Sequence, residues 1–313
     1  MRAPRRLRVA FLGNDAWSVP ALAAVAESEH DLALVVTRPP APGRRAAAAA
    51  PTPVASEARR IGARLEELET VVAGPGLEAL AGARPDVLVV VAYGEILPIA
   101  VLSIPSTASV NVHFSLLPAL RGASPVRAAL LSGLRETGVS TIVMDEGLDT
   151  GDVLLQTREA IRPEDDAGSL GDRLARIGGE LLARTLTGLA SDDLDRTPQD
   201  DAAATYAPKI GPADRRLDWA ARATDLANRV RAMAPEPGAT ASFRGSPVKV
   251  LRAIAVDGSG VPGTVVEVDR EGFIVATGEG SLRVLDVAPA GRPRMTAAAF
   301  VNGFRPRAGE PWS

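Results

Sequence analysis

A chain of 313 residues, 46% hydrophobic and 23% charged, has the composition of a folded globular protein and the length for two domains. It carries no cysteine and two histidines, which excludes disulfides and thiolate zinc sites and argues against a histidine-rich metal centre. The longest clear apolar run, Val87-Leu88-Val89-Val90-Val91-Ala92, suits a buried strand and falls short of a membrane span, and the absence of cysteine fits a cytoplasmic protein.

The N-terminus, Met1-Arg2-Ala3-Pro4-Arg5-Arg6-Leu7-Arg8, is basic like a targeting peptide. The apolar stretch after it is too short for a signal core and ends at Gly13, so a first strand at 7–12 is the reading. A helix at 19–27 and a strand at 31–37 follow. After a Pro/Arg/Ala-rich loop come helices near 54–63 and 77–83 and a buried strand at 86–92. The run Ala108-Ser109-Val110 leads into a strand ending at His113. A helix near 125–134, strands at 139–144 and 153–159, and a long amphipathic helix at 169–189 complete this part. Such alternation implies a mostly parallel, Rossmann-like sheet covered by helices.

Residues 191–207 are rich in Asp, Thr and Ala, lack periodicity, and read as a linker. Beyond a helix at 220–232, five short β-like segments (240–243, 248–253, 263–269, 273–277 and 282–287) are separated by Gly, Pro and Asp turns. They suggest a small barrel of OB type. The expected domains are thus 1–190 and 208–313. Charge divides at the same place. Residues 208–313 hold 15 Lys+Arg against 11 Asp+Glu, a net of +4, while residues 1–207 hold 20 against 27, a net of −7. A mildly basic barrel beside an acidic domain is compatible with a polyanionic partner.

The first β–α turn, Phe11-Leu12-Gly13-Asn14-Asp15, lacks the Gly-x-Gly-x-x-Gly that brings backbone to a pyrophosphate, and there is no P-loop. Dinucleotide chemistry is disfavoured. Asn111 and His113 lie two apart near a strand end and project to the same face. An amide able to hold an oxyanion beside a proton-transfer group suits acyl transfer. A lone histidine could equally be buried and satisfied by a carbonyl. A second polar cluster, Asp145-Glu146-Gly147-Leu148-Asp149-Thr150-Gly151-Asp152, could be an acidic turn. It could also set one carboxylate beside His113 to orient it, and spacing leaves Asp145, Asp149 and Asp152 open.

Asn111-Val112-His113-Phe114-Ser115-Leu116-Leu117-Pro118, with Arg121-Gly122 and Pro125, resembles the signature of folate-dependent formyltransferases. Leu148-Asp149-Thr150-Gly151-Asp152 resembles the second motif of that family, with Asp149 matching its catalytic aspartate. Val91-Ala92-Tyr93-Gly94-Glu95-Ile96-Leu97-Pro98 matches a loop beside the folate. The tail (Thr205-Tyr206-Ala207-Pro208-Lys209-Ile210, Asp218-Trp219, Pro247-Val248-Lys249-Val250, Pro262-Gly263-Thr264, Ala276-Thr277-Gly278, Pro289-Ala290-Gly291-Arg292) is similar to the C-terminal domain of the methionyl-tRNA formyltransferases. Three departures stand out: Gly13-Asn14-Asp15 replaces the usual Gly-Thr-Pro, an alanine run fills 46–50 of a loop that is usually more basic, and Glu236 stands where tryptophan is common.

The resemblance implies transfer of the formyl group of 10-formyltetrahydrofolate, a co-substrate, to the α-amine of methionyl-initiator tRNA, without a metal and as a monomer. It implies catalytic roles for Asn111 (oxyanion), His113 (charge support and proton shuttling) and Asp149 (holding His113). Folate would lie along Tyr93, Gly94, Glu95, Ile96, Leu97, Ser115, Leu116, Leu117, Pro118 and Asp145. Transfer RNA would meet Arg38, Arg44, Arg45, Lys209 and Lys249. Two other readings compete: a sugar-nucleotide N-formyltransferase sharing the same centre, and a folate- or tRNA-binding protein without catalysis.

Overall fold

The computed structural model describes residues 5–40 and 50–313, and the chain divides into two units. The first comprises residues up to Pro125, Glu136–Ala160 and Gly171–Ala207; the second comprises Val126–Arg135, Ile161–Leu170 and Pro208–Ser313. Arg44, Arg45 and the alanine run at 46–49 lie outside the described residues.

Along the first part of the chain run β1 (Arg8–Gly13), α1 (Val19–Glu27), β2 (Asp31–Thr37), α2 (Pro53–Arg60), β3 (Leu65–Glu67), α3 (Gly74–Ala83), β4 (Val87–Val91), α4 (Ile99–Leu102), β5 (Ala108–His113), α5 (Pro125–Leu131), β6 (Glu136–Val143), β7 (Val153–Ala160) and α6 (Ala167–Ser191). The strands form one sheet in the order β3-β2-β1-β4-β5-β6-β7. Pairing is parallel from β3 through β5 and antiparallel at β5–β6 and β6–β7. The mostly parallel sheet expected from the alternation is present.

Burial explains the strand compositions. Parallel strands covered on both faces are apolar throughout, and β4, read as Val-Leu-Val-Val-Val, is buried at every position. Edge strand β7 alternates more exposed and less exposed residues, as an antiparallel edge should. Leu12, Leu34, Val36, Leu80, Leu88, Val90, Tyr93 and Leu97 belong to one core cluster. Helix α2 starts where Thr52 accepts from the Ala55 amide, with Pro53 in its first turn. Two short elements were not expected, β3 and α4. Neither is long enough to show a hydrophobic period.

The order reverses between β1, which leads outward through β2 to β3, and β4, which leads the other way to β5. Ligands in open α/β sheets bind at the carboxyl ends of strands beside such a reversal. The ends of β1, β2 and β4 are tied there by one side chain. Asn14 donates through Nδ2 to the Tyr93 carbonyl, and its Oδ1 accepts from Thr37 Oγ1 (3.0 Å) and the Arg38 amide (2.8 Å).

The second unit contains α7 (Ala223–Met233), β8 (Ala239–Phe243), β9 (Ser246–Val256), β10 (Val265–Val268), β11 (Phe273–Ala276), β12 (Ser281–Pro289), β13 (Met295–Thr296) and α8 (Ala297–Phe304). Its antiparallel sheet runs β10-β11-β12-β9-β8, with β13 on β12. The five expected strands are there, arranged as an OB-like sheet whose path is open. Residues near the C-terminus pair with both of its edges: the Trp312 amide donates to Gly263 O, the Val265 amide to Glu310 O, and the Ser313 amide to Ser242 O. Segment Val126–Arg135 joins this unit through Arg127, whose Nη1 donates to Ala232 O at 2.8 Å.

Trp312 is 2% exposed, and its ring packs at 5.3 Å from Phe243, 4.9 Å from Phe273 and 5.8 Å from Phe300 between centroids. Truncating a buried tryptophan removes transfer energy and leaves a cavity. Trp312→Ala should lower the stability of the second unit by about 3–5 kcal/mol, read as a fall in the urea midpoint. An unchanged midpoint would show that the aromatic cluster contributes little.

Candidate active site

Strand β5 runs between β4 and β6, and at its end Asn111 pairs in register with Val90 and Ile142, and His113 with Ser140. Alternation sends the side chains of Asn111 and His113 to one face. The loop after β6 returns Asp149 to that face. Asp149 Oδ1 accepts from Asn111 Nδ2 at 3.1 Å, and Oδ2 accepts from the Gly122 amide at 2.8 Å. Oδ2 also lies 3.6 Å from His113 Nδ1. Of the three aspartates left open by spacing, Asp149 is the one the fold sets against both Asn111 and His113. Asp145 instead closes its own turn, accepting from the Gly147 amide (3.1 Å) and Thr150 Oγ1 (2.7 Å).

His113 is buried, 5% exposed, and its Nε2 is 2.9 Å from the Leu120 carbonyl. A carbonyl only accepts, so Nε2 carries the hydrogen. A second proton would therefore sit on Nδ1, facing Asp149. The carbonyl partner foreseen in the plain reading of His113 and the carboxylate foreseen in the functional one are both present, one on each ring nitrogen.

The turn after β5 is fixed by polar contacts beneath it. Ser115 is fully buried, donates to Ala119 O at 2.6 Å, and its carbonyl accepts from Ser140 Oγ at 2.6 Å. Ser140 Oγ also accepts from the Leu117 amide (3.1 Å), while Gln156 Nε2 donates to Leu117 O (2.8 Å). Leu117 is buried, and Leu116 and Pro118 are half-buried. Ser115 and Leu117 therefore support the turn from below.

Segment Tyr93–Leu97 splits in the same way. Tyr93 and Leu97 are 2% and 4% exposed and sit in the core, and burial, with the nearby Glu95 charge, pushes the Tyr93 phenol up to about 12. Glu95 turns back to accept from Thr70 Oγ1 and the Val71 amide. Gly94 and Ile96 face outward, Ile96 at 85% exposure. Only the backbone and Ile96 of this stretch are offered to a ligand.

Among the basic positions, Arg38 follows β2, where its Nη2 donates to Gly94 O at 3.3 Å and its guanidinium lies 5.8 Å from the centre of the Tyr93 ring. Lys209 is exposed. Lys249 pairs with Glu236 at 3.0 Å, an exposed pair. Among the described residues, no group of three or more His, Cys, Asp or Glu is placed to hold a metal ion. None of the described helices is long and apolar enough to cross a membrane.

Sequence reasoning missed the contribution of residues 191–207. They connect the units, yet they are also bound to the site. Thr197 exchanges backbone hydrogen bonds with Val153 (2.8 and 2.9 Å), Thr205 O accepts from the Arg121 amide (2.8 Å), and the Ala207 amide donates to Arg121 O (2.7 Å). Irregular backbone pairing leaves no hydrophobic period, so no sequence signal marked this segment as part of the site.

Asn111, His113 and Asp149 thus converge at the end of β5, on a fold shared with formyltransferases. The Formyl transferase family model matches residues 7–186, and that of the Formyl transferase, C-terminal domain, matches residues 209–305. The chain belongs to the formyl transferase family. It is 41% identical to the methionyl-tRNA formyltransferase of Aromatoleum aromaticum, over 97% of this chain and 96% of that protein. It is 44% identical to the methionyl-tRNA formyltransferase of a Methylobacterium species, over 96% and 97%. Among solved structures, HypX from Aquifex aeolicus in complex with tetrahydrofolic acid shares the fold at a TM-score of 0.67 and 20% identity. The match takes in 96% of this chain, which spans about half the length of HypX (48%).

Gly122 has φ +117°, and a Cβ there would lie 2.7 Å from the Ala207 carbonyl oxygen. Gly122→Ala should therefore destabilise the protein by more than about 1 kcal/mol and loosen the Gly122 amide from Asp149. Thermal unfolding checks this, and a wild-type midpoint would refute the crowding argument.

Proposed function

We propose that this enzyme transfers the formyl group of 10-formyltetrahydrofolate to the α-amine of methionyl-initiator tRNA. The observation that carries the reading is the shared carboxylate of Asp149, bonded to Asn111 and facing His113 at the end of β5. The end-to-end likeness to methionyl-tRNA formyltransferases supports the acceptor. Residues 1–190 are read as the catalytic domain, 191–207 as its connection, and 208–313 as the tRNA-binding domain. A monomer working in the cytoplasm fits this role.

An α-amine has a reference pKa of about 7.7–8.0, so a neutral, nucleophilic fraction exists near neutral pH. Its nitrogen bonds to the formyl carbon, the carbon–nitrogen bond to the folate breaks, the amine loses a proton and the folate nitrogen gains one. The protein must align the reactants, hold the oxyanion formed in between and relay the proton. Asn111 Nδ2 is the donor we assign to the oxyanion, and its bond to Asp149 presets its direction. His113 Nδ1, which faces Asp149, is the atom assigned to proton relay. Exposed backbone at Gly94 and Ile96, with the half-buried Leu116 and Pro118, would border the folate. Arg38, Arg44, Arg45 and Lys209 would meet tRNA phosphates, with Lys249 available on exchange of its Glu236 partner.

The direct test supplies 10-formyltetrahydrofolate with methionyl-initiator tRNA or with an amino-sugar nucleotide and asks which acquires the formyl group. Formylation of the sugar instead would move the enzyme to another branch of the family, and formylation of neither would leave a binding protein. Asn111→Ala should lower kcat on the order of 10²–10³-fold with little change in KM for the folate; equal losses in both would sink the oxyanion role. Binding of tRNA should weaken steeply with salt, log Kd rising linearly with log salt concentration. A flat salt profile would rule out a phosphate-led interface.

A further inference from the structure

We propose that Gln199 is a positioning residue for Asp149, and that the buried Arg121 in turn fixes Gln199; the proposal rests on the role given to Asp149 above. Gln199 Nε2 donates to the Asp149 carbonyl at 2.8 Å and to the Gly151 carbonyl at 2.7 Å. Its Oε1 accepts from Arg121 Nε at 3.0 Å and Nη2 at 2.9 Å. A guanidinium only donates and a carbonyl only accepts, so the amide has one possible orientation. Both of its hydrogens and both lone pairs of its oxygen are used.

The need for such a grip lies in the turn itself. Asp149 has φ +56°, a left-handed conformation that crowds any side chain with a Cβ. Gly151, two residues on, has no room for a side chain, since a Cβ would lie 1.7 Å from the Val143 carbonyl oxygen. One amide holding both carbonyls fixes the two ends of this turn, and so the direction in which the Asp149 carboxylate points at Asn111, Gly122 and His113. Without that grip, relaxation of the left-handed residue would swing the carboxylate away.

Arg121 supplies the other anchor. It is 2% exposed, and besides Gln199 it reaches Asp201 Oδ1 at 2.8 Å. A buried cation demands acceptors, so its interaction with Gln199 is strongly favoured. The Arg121 backbone is bracketed by Thr205 and Ala207, which places the guanidinium under the Gln199 amide. Polar contacts thus link residues 121, 149 and 199, which are distant in sequence.

Gln199→Glu separates the parts of this network. Glutamate still accepts from Arg121, but it has no hydrogens for the Asp149 and Gly151 carbonyls and sets oxygens against them. We expect kcat to fall on the order of 10- to 10²-fold, with both KM values close to those of the parent. In an Asp149→Ala background the same substitution should add no further loss, because the two act as one unit. Because the chain has only two histidines, ring ¹⁵N spectra give a readout independent of turnover: His113 resonances should move in Gln199→Glu and those of His30 should not.

A parental kcat for Gln199→Glu, an equal loss in the Asp149→Ala background, or unmoved His113 resonances would each overturn the inference. An inactive parent enzyme, or an Asp149→Ala variant with full kcat, would instead strike at the proposed function. The His113 spectra would still decide whether Gln199 sets the position of Asp149.

Discussion

Two carboxylate oxygens have few directions in which to accept, and the site depends on how Asp149 divides them. Oδ1 takes the Asn111 amide and Oδ2 takes the Gly122 amide while facing His113 Nδ1. Those partners come from the end of a central strand and from the loop that precedes α5, so one side chain ties groups of different origin to a common point. Charge-assisted hydrogen bonds of this kind are stronger than neutral ones. Under the proposed roles, the arrangement presets the donor and the proton carrier before any substrate arrives, which is where preorganised sites gain most.

The scaffold beneath follows the same economy. The side chains expected to line the folate, Tyr93, Glu95, Leu97 and Ser115, mostly face inward and brace the loops whose backbone remains exposed. Asn14 performs a similar task at the strand-order reversal, holding the ends of β1, β2 and β4 together. Glycine or threonine at position 14 would lack its amide N–H donor to Tyr93 O.

Much of this was legible in the residues. Alternating apolar runs and helical segments disclosed the mostly parallel sheet, because a strand buried on both faces must be apolar throughout, as β4 is. Turn-separated short strands disclosed the second sheet. The pairing of Asn111 with His113 followed from strand alternation, but the choice among Asp145, Asp149 and Asp152 needed a resemblance, since a loop has no period from which direction can be read. For the same reason the inward turn of Glu95 and the grip of Gln199 were invisible. Each is a contact between distant segments with no local pattern, and the stretch 191–207 carries no period, only the family match at Thr205-Tyr206-Ala207.

That stretch changes where the first part of the chain can be severed. A fragment ending at 190 would follow the sequence periodicity and would keep Asn111, His113 and Asp149. It would also discard Thr197, Gln199, Thr205 and Ala207, leaving the Arg121 guanidinium without its acceptors and the turn at Asp149 without its clamp. A fragment that keeps these contacts extends to Ala207, beyond the last helix of the sheet that bears Asn111, His113 and Asp149.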